Sequence, residues 1–192
     1  MKHTLRTFVA VEASAAVRRR AGELIEGLAS AGAGVKWVEP GALHLTLKFL
    51  GDVGTDDVAG VCQAVNQAAA ECPAFELEIR GVGAFPSPRR PRTIWLGTTQ
   101  GREALAELAR RIDKALEKLG YPREGRPFQG HLTIGRVRHG GPEMAELERR
   151  LRELDHAEVG RMTVEEVVVF SSDLRPTGPV YTPLGRTALA KS

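Results

Sequence analysis

The chain holds 5 histidines and 12 threonines in 192 residues, and random placement of those numbers would produce about 0.3 His-x-Thr tripeptides. Two occur, His44-Leu45-Thr46 and His131-Leu132-Thr133, one in each half. On an extended strand, residues two apart project to the same side, with Cα atoms roughly 6.6 Å apart at about 3.3 Å rise per residue. An imidazole and a hydroxyl so placed can hold one small anion between them. Histidine titrates near neutrality, with an ordinary pKa of about 6.5, so two copies can supply one proton donor and one proton acceptor. The alternative reading is two half-buried strand histidines, each satisfied by a neighbouring carbonyl.

Both tripeptides lie on patterns that make strands. Leu43, Leu45, Leu47 and Phe49 alternate with His44, Thr46 and Lys48, which puts the apolar set on one face and the polar set on the other. Leu132 and Ile134 alternate with His131 and Thr133 in the same way. The surrounding chain reads as a strand over 4–12, then a helix capped by Ser14 and running to about Ser30, with Val17, Ala21, Leu24, Ile25 and Leu28 on one stripe. An extended piece over 35–38 carries Trp37. A second helix is expected from Thr55-Asp56-Asp57 to Ala70, strands over 75–85 and 93–98, and a proline-fixed basic loop, Pro86 to Arg92, between them. A third helix spans 102–119 with Leu105, Leu108, Ile112, Ala115 and Leu119 inward, and a loop over 121–130 leads into the second motif. A fourth helix starts at Pro142, and the last strands are Met162 to Phe170 and Val180 to Leu189, joined by a turn holding Ser171, Ser172, Pro176 and Gly178. Strand, helix, motif strand and helix thus occur twice in that order.

Composition sets the frame. With 42% hydrophobic and 27% charged residues the chain is an ordinary globular protein with ample core. No apolar run approaches the ~18 residues of a membrane span, and no signal-peptide h-region opens it, so a cytoplasmic protein without membrane attachment is expected. Cys62 and Cys72 fall ten residues apart in one expected helix, about 15 Å from each other, too far to bridge; they read as small buried hydrophobes in a reducing compartment. With no Cys-x-x-Cys and no His-x-x-x-His, no metal site is expected. Arginine outnumbers lysine 21 to 6, and the clusters Arg18-Arg19-Arg20, Arg89-Arg90-x-Arg92 and Arg136-x-Arg138 point to an anionic partner that bidentate guanidinium contacts suit. GC-biased coding, which enriches Ala, Gly and Arg, is the competing explanation, and Arg18 to Arg20 fit a solvated helix face.

The pair His44-Leu45-Thr46-Leu47 and His131-Leu132-Thr133-Ile134 resembles the signature of the two-histidine (2H) phosphoesterases. The rest of the chain is similar to their RNA 2',3'-cyclic phosphodiesterase, or 2'-5' RNA ligase-like, branch. The likeness includes Arg6-Thr7-Phe8-Val9-Ala10-Val11, Lys48-Phe49-Leu50-Gly51, Ile94-Trp95-Leu96-Gly97 and the stretch from Ser172 to Tyr181. The resemblance implies an α+β, bilobal fold: one domain of two lobes related by a pseudo-two-fold, two antiparallel sheets with outer helices, and a central cleft to which each lobe brings one His-x-Thr. It implies RNA with 2',3'-cyclic phosphate ends, or a related nucleotide, as partner, and hydrolysis that leaves the phosphate on the 2' oxygen. The reverse reaction would join a 5'-hydroxyl end through a 2'-5' linkage. Such chemistry needs a base for water, an acid for the departing ribose oxygen and donors for the non-bridging oxygens, so no cofactor and no metal is expected.

The symmetry of the motifs leaves open which histidine is the acid; the resemblance makes His44 the proton donor, His131 the proton acceptor, and Thr46 and Thr133 phosphate-binding residues. Arg136, five residues after His131, is a candidate contact to the phosphate or the next nucleotide, although strand parity gives Gly135 and not Arg136 the face of His131. Trp37, Trp95 and Tyr181 are candidates for stacking on a base; Trp95 is opposite in parity to Ile94 and Leu96, whereas Phe49 shares the apolar parity of its strand and belongs to the core. A monomer is expected. Two rival readings stand beside this one: an RNA or nucleotide binder without turnover, and a phosphodiesterase for another small nucleotide.

Overall fold

The computed structural model describes residues 3–176 and 178–191, so Thr177 of the expected turn lies outside the described residues. The described residues form strands β1 (Thr4–Glu12), β2 (Val35–Trp37), β3 (His44–Gly54), β4 (Phe75–Phe85), β5 (Thr93–Thr98), β6 (His131–Val137), β7 (Glu158–Val164), β8 (Glu166–Arg175) and β9 (Gly178–Ala188). The helices are α1 (Ala15–Ala29), α2 (Val58–Ala69), α3 (Arg102–Glu117) and α4 (Met144–Glu153). The fold is α+β, as the pattern and the resemblance require.

The strands pair antiparallel in the order β7-β4-β5-β6-β3-β1-β8-β9, with β2 on β6 beyond the end of β3. The two motif strands are therefore neighbours at the middle of the series. On either side the order repeats in mirror fashion: β1 flanks β3 and β5 flanks β6, while β8-β9 and β4-β7 complete the two halves. The halves meet through a short β3–β6 pairing in which Leu45 stands opposite Leu132.

The sheet is strongly curled. Three strand spacings, about 14 Å in a flat sheet, separate β9 from β3, yet the rings of Tyr181 and His44 lie 5.1 Å apart. Glu165 alone separates β7, at one edge, from β8, far along the series. All four helices supply buried apolar residues to one large core together with Leu45, Leu132, Ile94 and Leu96. Phe8, Ala10, Val168 and Phe170 form a smaller buried cluster with Tyr181 against it. Strand β1 is thus buried on both faces, with Val9 and Val11 in the large core and Phe8 and Ala10 in the small one; this explains its weak alternation.

Most elements lie where the periodicity puts them. Ser14 accepts a hydrogen bond from the Val17 amide, and the five stripe residues of α1 are buried. The structure corrects several boundaries. Residues 162–170 are not one strand: the chain changes neighbours at Glu165, and the core-facing parity passes from Met162 and Val164 to Val167 and Val169. Leu116, not Leu119, completes the buried face of α3, and Leu119 is 49% exposed beyond the helix end. Thr55–Asp57 make a 3-10 turn before α2 without a side-chain cap. Cys72 lies past the end of α2, and both cysteines are free. No described helix is long and apolar enough to cross a membrane.

Candidate active site

His44 opens β3 and His131 opens β6. Leu45 pairs with Leu132, and antiparallel register then sets Thr133 beside His44 and Thr46 beside His131. The four side chains form a square on the concave face, with the imidazoles on one diagonal and the hydroxyls on the other. Opposed Cβ atoms in such pairs are about 4.5–5.5 Å apart and diagonal ones about 7–8 Å, so a tetrahedral anion fits among all four. All four residues are half-buried, whereas the leucines between them are fully buried beneath.

Each ring is oriented in the same way. Nδ1 of His44 lies 2.8 Å from the Ala42 carbonyl, and Nδ1 of His131 lies 2.8 Å from the Gln129 carbonyl. A carbonyl only accepts, so Nδ1 carries the hydrogen in both, and Nε2 is left as the exchanging nitrogen. The surroundings differ. The His44 ring sits 4.9 Å from Phe8, 5.1 Å from Tyr181 and 6.5 Å from Phe170. The His131 ring sits 5.1 Å from Phe85 and 6.5 Å from Trp95. Burial holds the His44 pKa below its ordinary value; the hydrogen bond to Ala42 opposes this, the Arg18 charge adds to it and the Glu12 charge opposes it. Burial raises the Tyr181 phenol, against the charges of Arg136 and Arg6.

Immediately after each motif the strand bulges. On β1, Ala10 pairs with Thr46 and Val9 with Lys48, which leaves Leu47 unmatched. On β5, Trp95 pairs with Thr133 and Ile94 with Gly135, which leaves Ile134 unmatched. An extra residue reverses the parity of everything beyond it. Hence Arg136, which alternation alone turns away, stands opposite Thr93 on the face of Trp95, and its Nη1 donates to Thr93 Oγ1 at 3.4 Å. Phe49, expected in the core, is 48% exposed on the concave face, stacked 6.1 Å from Phe8 with the Arg6 guanidinium 4.9 Å above its ring.

Lys48 takes the core-facing place that parity assigned to Phe49. It is 5% exposed, and Nζ donates to Asp113 Oδ1 of α3 at 2.6 Å and to the Pro122 carbonyl at 2.5 Å. Asp113 also accepts from the Glu124 amide, so this buried ion pair ties the first motif strand to the loop that delivers His131.

Trp95 reaches the concave face: a Cβ at Gly83 would lie 2.3 Å from its ring, so glycine gives the indole its place. Its Nε1 is buried and has no acceptor among the described residues. Tyr181 meets His44 edge-on. Trp37 is instead on the core side, where its ring fills the space a Cβ at Gly135 would need. Phe8, Phe85 and Phe170 are not singled out in the sequence: β1 is apolar on both faces, the irregularity after Ile79 and the break at Glu165 turn Phe85 and Phe170 to the face opposite the one alternation assigns, and their approach to the imidazoles needs the curl. Among the described residues no cluster of three or more His, Cys, Asp or Glu is placed to hold a metal ion.

The model of the LigT-like phosphoesterases matches this chain twice, over residues 11–95 and 96–181, one motif in each match. The chain belongs to that family. An RNA 2',3'-cyclic phosphodiesterase of Methanothermobacter thermautotrophicus is 39% identical over 180 residues, covering 94% of this chain and 96% of the relative. One of Thermotoga maritima is 31% identical over 94% of this chain and 93% of its own. Among solved structures, TT0787 of Thermus thermophilus superposes with a TM-score of 0.81 at 27% identity, covering 96% of this chain and 97% of that one. LigT of E. coli complexed with 3'-AMP superposes at 0.76 with 25% identity, covering 97% and 99%. The double match divides the LigT-like sequence between β5 residues Trp95 and Leu96, close to the centre of the repeated element order.

Proposed function

We propose that this LigT-like phosphoesterase opens 2',3'-cyclic phosphodiester ends of RNA to 2'-phosphomonoesters by acid-base catalysis without a metal or other cofactor. The observation that carries the proposal is the square of His44, Thr46, His131 and Thr133, with both Nδ1 atoms committed to carbonyls. In-line displacement at phosphorus needs a base and an acid on opposite sides of the phosphate, and diagonal imidazoles meet that need. His131, neutral at Nε2, takes a proton from the attacking water. His44, protonated at Nε2, gives one to the 3' oxygen as the P–O3' bond breaks, and Thr46 and Thr133 donate to the non-bridging oxygens. Arg136 supplies a charged donor at the same face, and Trp95 and Tyr181 bound the space for the base. Run backwards with a ribose 5'-hydroxyl in place of water, the same groups form a 2'-5' linkage.

The activity named for the relatives from Methanothermobacter and Thermotoga supports this reading, as does the 3'-AMP complex of E. coli LigT. With it goes a single domain of two lobes, acting as a cytoplasmic monomer free of membranes; the two free cysteines suit a reducing compartment. The test is incubation of the purified protein, in chelator, with RNA ending in a 2',3'-cyclic phosphate. A 2'-phosphate product is expected. Loss of turnover in chelator that a divalent ion restores would refute the metal-free mechanism, and a 3'-phosphate product would refute the direction of ring opening.

A further inference from the structure

The charges are unevenly neutralised. Arg110 and Arg111 on α3, and Arg149, Arg150 and Arg152 on α4, all lie within ion-pair distance of helix glutamates. Arg186 is held by Glu12 and Glu166. Among the described residues, Lys36, Arg89, Arg90, Arg92, Arg136 and Arg138 have no carboxylate partner and all are exposed; Arg6, Arg19, Lys114, Lys118, Arg126 and Lys191 also lack one, on β1, α1, α3 and its C-terminal end, the loop before β6, and beyond β9. The first six are neighbours in the fold. Lys36 stands opposite Arg136 in the β2–β6 register, and Arg136 stands opposite Thr93. The Val137 amide donates to the Arg92 carbonyl, the Arg92 amide to the Phe85 carbonyl, and the Arg138 amide to the Gly34 carbonyl. Arg89 and Arg90 occupy the β4–β5 loop, which leaves directly from Phe85, the residue packed on His131. One continuous basic surface therefore begins at Arg136, on the face of the catalytic square, and runs outward over the start of β5, the β4–β5 loop and β2.

We propose that this surface is the track for the RNA chain on the 5' side of the cyclised nucleotide, so that the preferred substrate is an oligonucleotide and not a cyclic mononucleotide. The proposal rests on the function given above. A 2',3'-cyclic phosphate is a 3' end, so every further phosphate of the substrate lies on its 5' side and must leave the square by one route. The route over β2 and the β4–β5 loop carries uncompensated guanidinium groups, which pair bidentately with phosphate. The edge at β9 carries Arg186 already satisfied by two glutamates.

The experiment compares a decanucleotide RNA ending in 2',3'-cyclic phosphate with the corresponding cyclic mononucleotide, using the wild type and a variant combining Arg89→Gln, Arg90→Gln and Arg92→Gln. For the variant, kcat/KM on the decanucleotide is expected to fall about ten-fold at ~0.1 M salt, through KM. Its dependence on log salt should become shallower by about 2, given a slope of roughly 0.7 per phosphate contact on a single strand. The mononucleotide rate should be unchanged, which also reports that the variant is folded. An equal loss on both substrates, or none on the decanucleotide, would overturn the track. If the wild type opens neither substrate, the proposed function fails while the track is still decided. Fluorescence anisotropy with a labelled decanucleotide bearing a linear 3'-phosphate should then show binding weakened by the triple change, and unaltered binding would overturn the track.

Discussion

Strands β3 and β6 share a motif, a hydrogen-bonded imidazole and a bulge after the threonine, but they part company at the fourth and fifth residues after the histidine. In β3 these are Lys48 and Phe49, in β6 Gly135 and Arg136. The fifth residue faces the concave side in both: an aromatic ring stacked on Phe8 in one half, a guanidinium in the other. The fourth faces inward in both: an ammonium bound to Asp113 in one, a glycine under Trp37 in the other. In the proposed function the equivalent part of the repeat moves protons and holds the phosphate, and the unequal part sets what is recognised around it. His44 is walled by Phe8, Phe170 and Tyr181, and burial holds its pKa down.

The comparison is broken most severely by removing either histidine. His44→Ala and His131→Ala should each lower kcat/KM by about 10²–10⁴-fold, and the residual activities should differ in pH dependence. With His131 gone, the rate depends on protonated His44 and should fall as pH rises, with a midpoint below the ordinary 6.5 because burial lowers that pKa. With His44 gone, the remaining rate should rise with pH. Profiles of the same shape for the two variants would show that acid and base are not divided between the halves.

Next in size is the inward fourth position. Lys48→Met leaves the largely buried Asp113 with only the half-exposed Arg123, 3.6 Å away, and stability should drop by about 1.5–3 kcal/mol, the scale of a lost charge-assisted hydrogen bond, measured by urea unfolding. Combining it with Asp113→Leu should recover much of the loss, since two apolar groups need no partner. The outward fifth position follows. Arg136→Ala should raise KM for cyclic-phosphate substrates by roughly ten- to a hundred-fold, the scale of a charge-assisted hydrogen bond of about 1.5–3 kcal/mol. Phe49→Ala should leave the salt dependence of KM unchanged while Arg136→Ala makes it shallower; identical behaviour would erase the distinction between the two positions. Thr46→Val and Thr133→Val each remove one hydrogen bond from an uncharged donor to the anionic phosphate, about 1.5 kcal/mol, and should cost about ten-fold in kcat/KM, less than either histidine.

The smallest effect concerns stability and pH. His44 binds its proton less readily in the folded state than in the unfolded one, so between the lowered pKa and about 6.5 the unfolded state holds more protons and stability rises with pH. The contribution is complete above about 6.5 and is lost as pH falls through the folded pKa. His44→Gln should flatten the decline in Tm between about pH 7 and 5; an unchanged slope would mean that other groups carry it.

The sequence by itself determined the two motifs, the strands that carry them, the helices with their buried stripes and the repeated order, because alternation, helical stripes and caps are written in residues a few positions apart. His44 and Thr46 share a face by local geometry alone, as do His131 and Thr133. Only the tertiary structure decided that the two pairs form one square, since that depends on β3 and β6 being adjacent with Leu45 opposite Leu132. It also decided the faces of Phe49 and Arg136, because a bulge is a mismatch between partner strands and leaves no mark on either strand's own alternation. The burial of Lys48 against Asp113, 65 residues away, and the gathering of Tyr181, Phe170 and Phe85 about the imidazoles depend on the curl of the whole sheet, a property no local pattern contains.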